Sequence, residues 1–304
     1  MADIWTVFVL WKNCAKKPAS DSREEKEYVQ QLRDGRVFFD YGPVSMVVSA
    51  LRSGRPDTAL CRSAFSVIER CLCELSPQLE MLRRYPSAVK TERLSGAALV
   101  MAQAVLDAAD PWLTPMAAVA GTLSDAVADY LWDQGAEKVI VNNGGDIALR
   151  LAPGQRLGLG VRYDLSRDSI DRVIHLDRDT KVGGVATSGL GGRSLTTGIA
   201  SGVTVFASRC AMADALATLL ADRSYLELPA VHTRPAEEID PDTDIAGQKV
   251  VVKVDPLTRE QRRKALAQIL DEAQRQYCRG HLIACIATVQ GESASFDPAD
   301  ILKS

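Results

Sequence analysis

Residues 183–220 read GGVATSGLGGRSLTTGIASGVTVFASRCAMADALATLL. The stretch holds, in order, a loop at 183–202 rich in glycine and hydroxyl side chains, a β-branched run at 203–206, and a helix of small residues carrying Asp214 and Thr218. Side chains four apart in a helix share one face, so this carboxylate and this hydroxyl lie together. A carboxylate beside a hydroxyl, facing a loop rich in backbone N–H groups, suits a hard cation and a phosphate.

Upstream of this stretch the pattern alternates between hairpins and helices. A strand pair is expected around RVFFDYGPVSMVVSAL. Residues 57–75 form a helix with Leu60, Ala64, Ile68, Cys71 and Leu75 on one stripe. Ser76-Pro77 starts a further segment ending near Arg84. Helices follow at 94–109 and 114–134, the second closed by Gly135. Strands are expected at 138–141, at 147–151, and at 157–163, 171–176 and 181–186. Downstream, 222–248 reads as a polar insertion or long loop, 250–254 as a strand, and 258–277 as a helix opened by a Thr258/Gln261 capping box. A last buried strand covers 281–289. The N-terminus, MADIWTVFVLWKNC, reads as a strand, and 15–30 as a polar surface loop. Helices clustered between antiparallel hairpins define an α+β layer rather than a doubly wound sheet. No G-x-G-x-x-G follows a first strand, which argues against a Rossmann dinucleotide site. A single domain over 1–304, with the insertion near 222–248, is the expected organisation.

Composition narrows the function. The 304 residues carry 36 basic and 39 acidic side chains, net −3, so no basic field for nucleic acid is present. No apolar run approaches the roughly 20 residues of a membrane helix, and a cytoplasmic location is expected. Seven cysteines, an odd number without metal or redox spacing, read as buried free thiols. Three scattered histidines make a histidine-based zinc site unexpected.

Three more pieces carry chemistry. VNNGGD at 141–146 lets backbone approach a ligand closely, through Asn142, Gly144 and Gly145, and ends on Asp146. A plain hairpin turn would use the same residues. ATSGLGGRS at 186–194 offers Thr187, Ser188, Gly189 and Gly191 around Arg193, whose planar fork suits an anion. A mobile surface loop is the alternative there. PMAAVAG at 115–121 is small enough for a backbone carbonyl to reach another group, or simply for tight helix packing.

In order and wording these pieces resemble the ApbE-like superfamily, whose best-known members are magnesium-dependent FAD:protein FMN transferases. The V-N-x-G-G-D turn, the A-T-S-G loop and the A-D-A-L-A-T helix are all present, over roughly 40–220. The chain looks closest to a cytoplasmic branch that shares PMAAVAG and the D-P-D-[ST]-D-[IL] stretch, here 240–245. The resemblance implies a duplicated antiparallel sheet with packed helices, T-fold-like. It also implies Mg²⁺ on Asp214, Thr218 and the carbonyl of Ala118 or Ala120, with Ala120 favoured, and FAD or FMN as the nucleotide. On the matched motifs, Asp146 and Arg193 are the candidate catalytic residues. Asn142, Gly144, Gly145, Thr187, Ser188, Gly189, Gly191 and Arg193 are the candidate nucleotide contacts.

Two departures matter. Gly121-Thr122 stands where the transferases carry lysine-glycine, and Arg193 lies in the segment where they carry a histidine. Arginine stays protonated at pH 7 and cannot act as a base. Three readings are compatible with these residues: a flavin-nucleotide and Mg²⁺ protein, with FAD hydrolysis or FMN transfer; a catabolic enzyme with a repurposed pocket for a small anionic or heterocyclic substrate, anchored by Arg193; or a non-catalytic subunit of a redox complex. The partners they admit are a small-molecule or nucleotide ligand, a protein acceptor or redox partner, and a second copy of the chain. Nucleic acid and membrane are not among them.

Overall fold

The computed structural model describes residues 28–162, 170–192 and 194–303. The expected strand at 1–14, most of the polar stretch 15–30, Cys14, Tyr163 and Arg193 lie outside the described residues.

The first strands are β1 (Val29–Gln31), β2 (Val37–Tyr41), β3 (Val44–Arg52) and the short β4 (Arg55–Pro56). In β3, Val44, Met46, Val48 and Ala50 are buried while their neighbours are half-buried, the two-residue period of a strand with one face on a core. Helices α1 (Thr58–Ser63), α2 (Phe65–Leu75), α3 (Leu79–Leu82), α4 (Gly96–Ala108) and α5 (Val119–Asp133) come next. The stripe Leu60, Ala64, Ile68, Cys71, Leu75 is buried as expected. The helix breaks at Ala64, however, whose N–H donates to the Cys61 carbonyl three residues back. The expected helix 114–134 likewise divides into a 3₁₀ turn, Pro115–Ala118, and α5.

The hairpin β5 (Lys138–Asn143)–β6 (Asp146–Leu151) follows, then the ribbon β7 (Arg156–Val161)–β8 (Arg172–Asp177). Next come β9 (Gly184–Ser188), β10 (Gly202–Ala207) and α6 (Cys210–Asp222). The expected polar insertion contains β11 (Val231–Pro235) and a helical turn, α7 (Ala236–Ile239); β11 pairs with β12 (Lys249–Val254). The chain then forms α8 (Arg259–Cys278), with the capping box in place. It ends in β13 (Ala284–Val289) and β14 (Glu292–Phe296), a final hairpin of which only the first strand was legible.

Among the described residues ten strands form one sheet, ordered β1-β2-β3-β5-β6-β9-β10-β13-β14 with β4 on β3. Its pairs run antiparallel. The order contains a duplication. Hairpin β2–β3, helices and hairpin β5–β6 make one half; hairpin β9–β10, helices and hairpin β13–β14 make the other. In each half the inner strands pair, β3 with β5 and β10 with β13. The halves join through β6 and β9, at Ile147↔Val185 and Ala148↔Gly184. This is the α+β architecture expected from the sequence.

One large hydrophobic cluster lies between the sheet and the helices, and it includes Val48, Ile68, Met101, Leu131, Val205, Leu216, Ile269 and Cys285. A second, with Leu149, Ile174, Leu176, Phe206, Ile286 and Leu302, lies on the opposite face under β7–β8. Strands β10 and β13 are buried along their whole length because both of their faces are covered.

Candidate functional site

Helices α5 and α6 pass each other at their N-terminal turns. The first N–H groups of a helix have no partner within it, and neither helix caps itself with a side chain. Each is capped by the other. The Gly121 N–H of α5 donates to Asp214 Oδ2 of α6 at 2.8 Å. The Ala211 N–H of α6 donates to Asp125 Oδ2 of α5 at 3.0 Å. Each carboxylate also faces the positive end of the partner's dipole.

Asp125 and Asp129 are matched by arginines. Arg150 donates to Asp125 Oδ1 and to Asp129 Oδ1, both at 2.8 Å. Arg209 reaches Asp129 Oδ2 at 2.6 Å. No basic side chain pairs with Asp214 among the described residues. Burial and the nearby Asp146 charge push its carboxyl well above the ordinary range, against the Gly121 and Ala120 N–H groups that lower it.

The V-N-N-G-G-D turn meets this junction from the sheet side. Asn143 Nδ2 donates to the Ala120 carbonyl at 3.4 Å. Ser124 Oγ donates to the Asp146 carbonyl at 3.0 Å, tying the turn to α5. Asn142 serves the turn itself, its Oδ1 accepting from the Gly145 N–H at 2.9 Å. Gly144 and Gly145 have φ of 69° and 120°, which glycine adopts without strain. Residues Ala120, Asp146 and Asp214 are thus brought together, with half-buried Thr218 one turn beyond Asp214 on α6. The sequence reading overlooked Asn143. The signal was there: Val139, Val141 and Asn143 share the buried parity of β5, and Asn142 does not. Asp125 and Arg150 were also overlooked, because their partners lie far along the chain.

The glycine-rich loop is engaged with the protein. Thr187 Oγ1 hydrogen-bonds Thr204 Oγ1 across β9 and β10 at 2.9 Å. The N–H groups of Leu190, Gly191 and Gly192 donate to the carbonyls of Ala200, Ser201 and Gly189. Gly189 sits at φ 134° against the Ala200 carbonyl. Ser188 ends β9 opposite Val203. The register Ile147↔Val185, carried onward, sets Thr187 and Ser188 alongside the Gly144–Gly145 turn. The two stretches that marked the branch also meet: the Thr114 hydroxyl, just before PMAAVAG, donates to Asp244 of DPDTDI.

The groups expected from the sequence to hold a cation, Asp214, the Thr218 hydroxyl and the Ala120 carbonyl, are all oxygens, the kind of donor a hard cation prefers. Among the described residues no group of three or more His, Cys, Asp or Glu side chains is arranged to hold a metal. A cation here would therefore draw on fewer than three such side chains, with neutral oxygens supplying the rest.

Fold and junction together define an α+β protein of duplicated antiparallel hairpins whose central helices exchange capping carboxylates. The chain belongs to the AbpE bacteria family, whose model matches residues 29–295. Among its relatives is the UPF0280 protein of Methanopyrus kandleri, 34% identical over 170 residues, covering 55% of this chain and 67% of that one. The UPF0280 protein of Methanothermobacter thermautotrophicus is 41% identical over 109 residues, 36% of this chain and 41% of its own. That of Methanococcus aeolicus is 37% identical over 105 residues, 34% and 42%. The chain thus spans under half the length of the last two. Of solved structures, the apo flavinyl transferase ApbE of Pseudomonas stutzeri is similar with TM-score 0.48 and 16% identity, over 85% of this chain and 93% of that one. A mutant form of the flavin transferase ApbE of Vibrio cholerae gives 0.46 and 14%, over 85% and 94%. Among the described residues no helix is long and apolar enough to cross a membrane.

Proposed function

We propose that the α5–α6 junction binds a flavin nucleotide through a hard cation, with FMN transfer weak or absent. One observation carries the reading: Asp214, which has no basic partner among the described residues, is fixed on the first turn of α5 beside Asp146, while Asn143 holds the Ala120 carbonyl. Two nearby carboxylates in a half-buried place disfavour each other's charge, and a cation relieves that cost. Asp214, Thr218 and the Ala120 carbonyl would hold it. Bound there, Mg²⁺ would offset charge on a pyrophosphate. The flavin part of the reading rests on the motif resemblance. The chain's own contribution is positional: Gly121 fixes the carboxylate, and Asn143 fixes the carbonyl.

Asp214→Asn tests it, because the amide oxygen can still accept from Gly121 while the charge is lost. Calorimetric titration of FAD with Mg²⁺ should show magnesium-dependent binding by the parent. Binding by the variant should be weaker by about ten-fold or more, the size expected for one lost charge-assisted contact. Equal binding by the two proteins would remove the metal from the reading.

A second reading, a small anionic or heterocyclic substrate without a metal, gains from the loop. The N–H groups of Leu190, Gly191 and Gly192 are already committed to carbonyls, so the cradle they were expected to offer a phosphate is filled from within the protein.

A further inference from the structure

A cavity of about 400 Å³ opens at the C-terminal end of α6. None of Asp146, Asp214 or Thr218 lines it, so this cavity is separate from the proposed cation site. Asp222 lies eight residues beyond Asp214 on the same helix, about 12 Å along the axis at 1.5 Å per residue.

Four features of the lining point to one kind of ligand. The first is an acceptor without a counter-charge. Asp222 Oδ1 takes the Thr196 hydroxyl at 3.0 Å and the Thr197 N–H at 2.9 Å, yet among the described residues no basic side chain pairs with Asp222. Burial and the Asp110 charge push its carboxyl up, beyond what the Thr196 and Thr197 contacts recover. An added N–H donor would relieve it.

The second is a cation without a partner. Arg223, also on the wall, is spoken for by Asp110 at 2.6 Å and Glu272 at 3.3 Å. Exposed Lys249 forms no ion pair among the described residues.

The third is a pair of aromatic residues left open to solvent, Trp112 at 63% and Tyr225 at 41% exposure. Trp112 is exposed but held: its backbone N–H donates to Asp110 Oδ1 at 2.8 Å, its backbone carbonyl accepts from Gln248 Nε2 at 3.2 Å, and its ring packs edge-on to Tyr85 with centroids 5.7 Å apart. A large aromatic surface fixed in place and uncovered is a stacking platform. The fourth is size. The volume is at the low end for small-molecule sites, enough for a compact ring system.

We propose that this cavity binds a planar nitrogen heterocycle carrying a carboxylate, its ring against Trp112 and Tyr225, its N–H donors on Asp222 and its carboxylate on Lys249. Donor, ring and anion are each required, so matched probes separate them. Orotate has all three; uracil lacks the carboxylate, and benzoate lacks the N–H donors. Titrated into the full chain and followed by tryptophan fluorescence, orotate should give saturable quenching. Uracil and benzoate should each bind about ten-fold more weakly or worse. Trp112→Phe should remove most of the signal. Lys249→Met, at an exposed position, should bring orotate down to the level of uracil, and Asp222→Asn should bring it down to the level of benzoate. No saturable response to orotate, equal binding of the three probes, or an unchanged ranking in Lys249→Met would overturn the assignment.

Discussion

A β-carbon built on Gly121 would lie 2.3 Å from the Cys210 carbonyl oxygen and 2.8 Å from Asp214 Cβ. The glycine is therefore what lets α5 and α6 approach until the Gly121 N–H reaches the Asp214 carboxylate. Where the resemblance puts lysine, this chain has a residue that cannot carry a side chain without moving a helix. Gly121→Ala should cost about 1–3 kcal/mol, the usual cost of overpacking, read as a lower urea midpoint. It should also weaken magnesium-dependent FAD binding; a variant as stable as the parent would show that the helices have room to part. A second departure bears on chemistry. Attack of an acceptor hydroxyl on a flavin phosphate needs a base, and arginine at pH 7 is not one. Incubation with FAD, Mg²⁺ and a flavin-acceptor domain should leave the acceptor unmodified, or nearly so, by mass spectrometry. Rapid stoichiometric FMN addition would show that the Arg193 departure is without consequence.

At the scale of elements, the junction is held by partners that no local pattern reveals. Asp125 is 2% exposed and its partner Arg150 13%, so removing Asp125 leaves a buried guanidinium with Asp129 alone and the Ala211 N–H of α6 without its cap. Asp125→Ala should cost about 3–5 kcal/mol, the usual penalty for breaking a buried pair, measured by denaturant unfolding; a loss below about 1 kcal/mol would mean that water or Asp129 takes over. Asp129 adds a pH dependence. Burial alone would raise its pKa, but the Arg209 and Arg150 guanidiniums hold it below the ordinary value. A carboxyl lowered by folding stabilises fully above its unfolded pKa, near 4, and loses that contribution as pH falls through the folded value. Stability should thus decline below about pH 4, less steeply in Asp129→Asn.

Much of the element pattern was legible. The stripe at 60–75, the helix at 94–109, the hairpin at 36–51 and the Thr258/Gln261 capping box depend on neighbours within a few residues. The strand Val231–Pro235 was not: VHTRP alternates half-buried with exposed residues, but it is only five residues long, has one apolar β-branched side chain and ends on a proline, so its pairing with Lys249–Val254 is what marks it as a strand. The site divides the same way. The motifs named Asp146 and Asp214, but that Asp214 caps a helix begun 95 residues earlier is a property of the packed molecule.

For the whole molecule, the expectation of one domain becomes a statement about cooperativity. The larger hydrophobic cluster runs through both halves, taking in Cys61 from α1, Cys210 at the start of α6 and Cys285 from β13. All three thiols are buried. Burial pushes Cys61 to about 11 and Cys285 to about 12, and Cys210 well above its ordinary value, so none offers much thiolate to a reagent near pH 8. The expectation that the cysteines are uniformly buried is corrected at Cys73 and Cys278, which are exposed. These two give an internal contrast. Alkylation of the folded chain, resolved by peptide mass spectrometry, should label Cys73 and Cys278 quickly and spare Cys61, Cys71, Cys210 and Cys285. In increasing urea, Cys61, Cys210 and Cys285 should become reactive at one shared midpoint. A cluster shared by both halves gives neither half a separate core to retain when the other opens. If Cys285 stayed protected at urea concentrations where Cys61 was fully labelled, the two hairpin–helix–hairpin halves would be separate folding units, and the single-domain reading would fail.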